Sequence, residues 1–248
     1  MDRSAKQLAE EPVWTRPPQR RRPALTRAAI VATAIQIADA EGLAGVSIRR
    51  VAAELGARAM SLYTHFDRKE DLLNLMGDEV VGEVLIEGDK VPENWREALT
   101  MIARLERTMM LRHPWIIELQ AQRTEYGPNV LRHLEQSLAA VDGLNVDPDM
   151  ARSVVGTVDH FVLGCTRREI VESAVEERFG MSHQERVMVM LDYLREQANA
   201  NGFTRVLEAL DAKTHKEHQD PETMWELSFE RGLSWLLDGI ERDLVEKP

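Results

Sequence analysis

From Leu25 onward, every long segment of the chain repeats its apolar residues at spacings of three and four, and the segments are separated by Gly or Pro. That periodicity admits helices and little else. Strand-like alternation with turn dipeptides is absent, which excludes a sheet, and no fixed repeat supports a solenoid. Ile30, Val31, Ala34, Ile35 and Ala38 form one apolar face, with Thr26 placed to cap it and Gly42 placed as a left-handed stop. Ser47 caps a second short helix over 48–55, Gly56 ends it, and a third is expected over 59–66. Asp67 opens a fourth over 69–85. Beyond residue 90 the pattern predicts helices over 93–112, 115–123, 128–141, 147–175, 182–197, 202–210 and 221–245. The fold class is therefore all-α: a short helix, Gly-containing turn and short helix braced by the first helix, followed by a larger helical body.

Charge divides the chain in the same place. The total is −11, which argues against indiscriminate coating of nucleic acid, yet residues 16–69 carry ten Lys or Arg against four acids. A basic first quarter on an acidic remainder predicts a small polyanion-binding module joined to a separate body. Three parts are expected: an arm over 1–23 with four prolines and Arg20-Arg21-Arg22, a module over 24–69, and a body over 70–248. The arm either enters a minor groove or has no specific role; both remain open.

Residues 47–69 read SIRRVAAELGARAMSLYTHFDRK, and with Gly42-Leu43 and Lys69-Glu70-Asp71-Leu72-Leu73 they resemble the DNA-binding domain of the TetR family of bacterial transcriptional regulators. A recognition helix in the major groove needs short or flexible side chains where the backbone nears base edges. Ala59, Met60, Ser61 and Thr64 suit that role, whereas Leu62 and Phe66 turn inward. Tyr63, His65 and Lys69 can donate to phosphate oxygens, which sets register, and the resemblance implies backbone contacts from these three. Ser47 and Arg49, at the start of the second helix, complete the expected DNA-binding set. Few side chains per module reach bases, so the resemblance implies a dimer on a palindromic operator.

His160-Phe-Val-Leu-Gly-Cys165 and the late FERGLSWLLDGIE resemble the C-terminal domain of the tetracycline repressor subfamily. The resemblance implies a four-helix dimer interface, with Gly156, His160 and Gly164 on one helix and Leu233, Leu236, Leu237 and Ile240 on the other. It also implies an inducer pocket among the middle helices. The histidine that holds magnesium in that subfamily aligns with Gln120, and a nearby glutamate falls near Arg168. Arg cannot be an anionic partner, so a magnesium–tetracycline ligand is not expected. Leu105, Met109, His113, Trp115, Leu119 and Phe161 are the remaining pocket candidates, and they point to a hydrophobic molecule.

Enzymatic signatures are missing: no histidine follows a Glu by three residues, and metalloprotease, phosphate-loop and Gly-x-Ser-x-Gly motifs are absent. His215, Glu217, His218 and Asp220 match no standard metal spacing. A single cysteine excludes an intrachain disulfide, and Cys165 reads as a small buried residue, with a redox sensor beside Arg167 and Arg168 as the alternative. No apolar run nears the ~18–20 residues of a bilayer span, and the N-terminus lacks a signal-type apolar stretch. The expectation is a cytoplasmic, ligand-responsive repressor that needs no cofactor and is not an enzyme. The alternative is a helical small-molecule-binding protein without sequence-specific DNA binding.

Overall fold

The computed structural model describes residues 25–87, 90–122, 126–181, 183–214 and 221–244, and the N-terminal arm and the His215–Asp220 cluster lie outside them. Twelve α-helices appear among these residues and no strand. The first four are α1 (Arg27–Glu41), α2 (Ile48–Glu54), α3 (Ala59–Leu62) and α4 (Lys69–Val81). The body contains α5 (Trp95–Arg112), α6 (Trp115–Gln122), α7 (Pro128–Ala139), α8 (Pro148–Phe179), α9 (His183–Val189), α10 (Leu191–Ala200), α11 (Thr204–Thr214) and α12 (Pro221–Leu244).

Local chemistry explains most of the boundaries. Thr26 and Ser47 cap α1 and α2, their hydroxyls accepting from the Ala29 and Arg50 amides. Gly42 ends α1 at φ 72° and ψ 176°, an extended region open to glycine rather than the left-handed helical stop expected. Gly56, at φ 61°, closes α2 in a Schellman arrangement: its amide donates to the Ala53 carbonyl, and Ala57 donates to Ala52.

Several boundaries depart from the pattern. α3 stops at Leu62 rather than 66, and the Thr64 hydroxyl donates to the Ser61 carbonyl, the acceptor that a continuing helix would give to the His65 amide. Arg68, not Asp67, precedes α4, because Asp71 reaches back to accept from both the Asp67 and Arg68 amides. The helix expected over 182–197 breaks at Met190 into α9 and α10, while α8 runs on to Phe179 and stops at Gly180.

α1, α2 and α3 close over Ile30, Ala34, Val51 and Leu62, all buried, and α4 lies along α1. The same α4 also packs on α6 and α7, so one helix touches both the first three helices and the body. In the body, α5 runs against α8, and α8 in turn carries α12. Arg107 of α5 pins these three together: it bonds Glu169 of α8 and Glu226 of α12 and lies 5.0 Å over the Phe229 ring.

Candidate nucleic-acid interface and ligand pocket

The helix-turn-helix turns outward several of the residues expected to meet DNA. Met60 is 75% exposed, Ser61, Thr64 and Arg49 are exposed, and Tyr63 stands out from the turn after α3. Beneath them Leu62 and Phe66 are buried, and the Tyr63 ring tilts against Phe66 at 6.3 Å. Ala59, His65 and Lys69 are half-buried at the rim. Ser47 and Thr64 are partly committed, one as an N-cap acceptor and the other as a donor to Ser61. Arg50 is occupied by Glu41 and Glu54 at 3.0 and 2.6 Å, which distinguishes it from its neighbour Arg49, exposed and without an ion pair among the described residues. Arg27 donates to the His65 carbonyl at 2.8 Å and ties the end of the recognition segment to α1.

Module and body meet at a polar joint. Asp39 of α1 accepts, on the same Oδ1, from His113 Nδ1 and from Trp115 Nε1, both at 2.6 Å. His113 and Trp115 are buried at the bend between α5 and α6, and Glu83 lies 3.4 Å from His113 Nε2. A second tie comes from α4, where buried Asp78 accepts from the Asn129 and Val130 amides at the start of α7. A Cβ on Gly127 would lie 2.2 Å from that carboxylate, so the approach requires glycine.

A cavity of about 330 Å³ opens between the end of α4 and helices α5, α6, α7 and α8. Of the residues expected at a ligand site, Met109 and Gln120 line it. The other five expected ligand residues do not. His113 and Trp115 belong to the joint, and Leu119 is core. Leu105 faces a groove on the outside of α5, and Phe161 stacks 5.7 Å from Phe229. Apolar character alone did not separate pocket from core, because both use the same side chains.

Unanticipated, the cavity holds a polar cluster. Glu106 is 5% exposed and bonds His133 Nε2 at 2.7 Å, while Asp159 lines the wall nearby. Burial, reinforced by the Glu106 charge, pushes Asp159 up to about 7. Burial works to lower His133, but its bond to Glu106 and the surrounding charge outweigh that and raise it. The available signal was an acid on an apolar face, since Glu106 lies four residues from both Ile102 and Met110. Because Asp159 holds its proton more tightly folded than unfolded, its contribution to stability is full below about 3.8 and is lost as pH rises through about 7. Asp159→Asn is therefore expected to flatten the fall in melting temperature across that range. An identical pH profile in parent and variant would refute the raised carboxyl.

Cys165 is free and half-buried, and burial pushes its thiol up, away from thiolate reactivity. No group of three His, Cys, Asp or Glu among the described residues is arranged to hold a metal. Among the same residues no helix is long and apolar enough to cross a membrane.

The two long helices of the expected interface divide differently from the sequence pattern. On α8, His160 and Gly164 are exposed and Gly156 is half-buried, with nothing within 4 Å of a Cβ added at either glycine. On α12, Leu233 and Leu237 are buried in the chain's own core, a correction to their assignment to the intersubunit stripe. Leu236 and Ile240 are half-buried against that core. The apolar residues α12 leaves outside are Met224, Leu227 and Trp235, the last 68% exposed. The helix phase was right and the side turned inward was not.

A helix-turn-helix module with an exposed recognition segment, joined to a helical body that contains a cavity, defines a ligand-responsive DNA-binding regulator. The profile described as "Bacterial regulatory proteins, tetR family" matches residues 30–76, and "Tetracyclin repressor-like, C-terminal domain" matches residues 87–244. The chain belongs to the TetR family and is a ligand-responsive DNA-binding repressor, in a family of regulators rather than enzymes. It is 34% identical to the HTH-type transcriptional repressor DrrR1 of Streptomyces coeruleorubidus, over 91% of this chain and 81% of that one. The tetracycline repressor protein class E of Escherichia coli is 22% identical over 59% of this chain and 70% of its own. Structures of the Streptomyces coelicolor TetR family protein ActR, in complex with actinorhodin and with (S)-DNPA, superpose with a TM-score of 0.63 at 27% identity. They cover 88% of this chain and 99% of ActR.

Proposed function

We propose that the chain acts in the cytoplasm as a homodimer on a palindromic operator, and that a small, largely apolar molecule in the α4–α8 cavity releases it. The observation that carries this reading is the exposure of Met60, Ser61, Tyr63 and Thr64 around a buried Leu62. Ser61 and Thr64 offer hydroxyls to base edges, and Met60 and Ala59 offer apolar surface to thymine methyls. Tyr63, His65 and Lys69 take phosphates, with Ser47 and Arg49 contacting DNA from the start of α2. α4 is the lever: it lies along α1, holds α7 through Asp78, and ends at the cavity through Val81. A ligand that binds one arrangement of α4 better shifts the population toward it, and the recognition segments then cease to match grooves ~34 Å apart. That the ActR structures hold small molecules supports placing a ligand in the body of this chain.

A gel-shift on the chain's own promoter region tests this reading against a ligand-binding protein without operator recognition. Absence of a sequence-specific shift at moderate salt would remove the operator. Lys69→Ala is expected to weaken all DNA sequences alike and reduce the slope of log affinity against log salt by about 1. Substitution of Ser61 or Thr64 is expected instead to change which bases are preferred.

A further inference from the structure

The cavity has a sign. Two acids, Glu106 and Asp159, line it beside His133 and His160, and among the described residues no Lys or Arg does. One Glu106 oxygen is satisfied by His133, but Oε2 is buried with no hydrogen-bond partner among the described residues, and so is His133 Nδ1. An unpartnered carboxylate oxygen inside apolar walls is costly, and such groups mark places where something else completes the set. The remaining walls are apolar, with Met109, Met110, Val130 and Leu163 contributing.

Resting on the reading of this cavity as the ligand site, we propose that it selects an organic cation: a ring-bearing amine whose protonated nitrogen lies between Glu106 and Asp159. Its hydrocarbon would lie against Met109, Met110 and Leu163. A protonated amine brings several donors, enough to meet Glu106 Oε2 and Asp159 together. A neutral ligand without a donor leaves Oε2 bare, and an anion meets two acids. Placing one cation between two nearby acids also relieves the repulsion from Glu106 that, together with burial, raises Asp159 to about 7. A metal ion is a poorer occupant, because no group of three His, Cys, Asp or Glu among the described residues is arranged to ligate one. A volume of about 330 Å³ suits a molecule of a few fused rings or smaller.

The test uses the full chain without DNA and three probes that share one ring system: naphthylmethylamine, naphthalenemethanol and naphthoate. These are positive, neutral and negative at neutral pH. Calorimetry is expected to give the amine an affinity about tenfold or more above the alcohol, with the acid weakest. Glu106→Gln and Asp159→Asn, each checked for a cooperative melt, are each expected to bring the amine to within about threefold of the alcohol bound by the same variant. If Glu106→Gln does not fold, Asp159→Asn carries the test alone. Equal binding of all three probes by the parent would overturn the cation and leave an apolar cavity in which water completes Glu106. An amine preference that survives the substitutions would place the cation elsewhere and overturn the proposal as well. Binding of none would overturn both the cation and the cavity. Since DNA is absent, failure of operator release has no bearing on these outcomes.

Discussion

Asp39→Ala is expected to cost about 2–5 kcal/mol in urea or thermal unfolding, because it strands two donors that the fold keeps from water. His113 is 3% and Trp115 4% exposed, and both bond the same Asp39 oxygen at 2.6 Å. Removing an acceptor from a buried donor exposes the full desolvation cost of that donor, which exceeds the net worth of an ordinary hydrogen bond. The geometry supplies its own control. Both donors converge on Oδ1, so Asn can accept both through its carbonyl, and Asp39→Asn is expected to recover most of the loss. Operator affinity should also fall in the Ala variant, since α1 is no longer held to the α5–α6 bend and the recognition segments must be ordered on the DNA itself. The salt dependence should not change, because no phosphate contact is removed, which separates this effect from that of Lys69→Ala. If Asp39→Ala unfolded within about 0.5 kcal/mol of the parent, the joint would have no energetic standing.

Why the joint went unread explains the general boundary between sequence and structure. Asp39 sits at the end of an amphipathic helix, where an acid looks solvated, and its partners lie some seventy-five positions further on. Periodicity marks which face of a helix is apolar, and it placed α1, α2, α4 and α5 well. Local chemistry was equally legible at Thr26, Ser47 and Gly56, because each acts on backbone within a few residues. The same local rules misplaced the end of α3 and the residue that precedes α4, where Thr64 and Asp71 redirected hydrogen bonds. Periodicity does not say what a face meets. Leu233 and Leu237 share a stripe with Leu236 and Ile240, yet only the first two are fully buried in the chain's own core. In the same way Trp115 and Leu119 looked like pocket and are joint and core, while Glu106, His133 and Asp159 converge from three helices with no shared motif.

Gly164→Arg is the substitution expected to separate dimerisation from folding. The glycine lies mid-way along the exposed side of α8, in register with Thr157, His160 and Arg168, and a Cβ there meets nothing within 4 Å. Within one chain, therefore, a larger side chain costs little, and exchanging a helix-interior Gly favours the helix slightly. Between two chains the account reverses. A two-fold interface brings the same helix from each subunit together, so one substitution introduces two long cations, close to the Arg167 and Arg168 already present on each copy. Val171 on α8 and Met224, Leu227 and Trp235 on α12 are exposed in the single chain, and the proposed dimer is where such apolar surface would be covered. Sedimentation at micromolar concentration is expected to show monomer, with operator affinity lower by about 10²–10⁴, the factor that linking two modules contributes without any new contact. Circular dichroism should still report a helical chain. A variant that stays dimeric would remove α8 from the interface, and a folded monomer with undiminished operator affinity would show that a single module suffices.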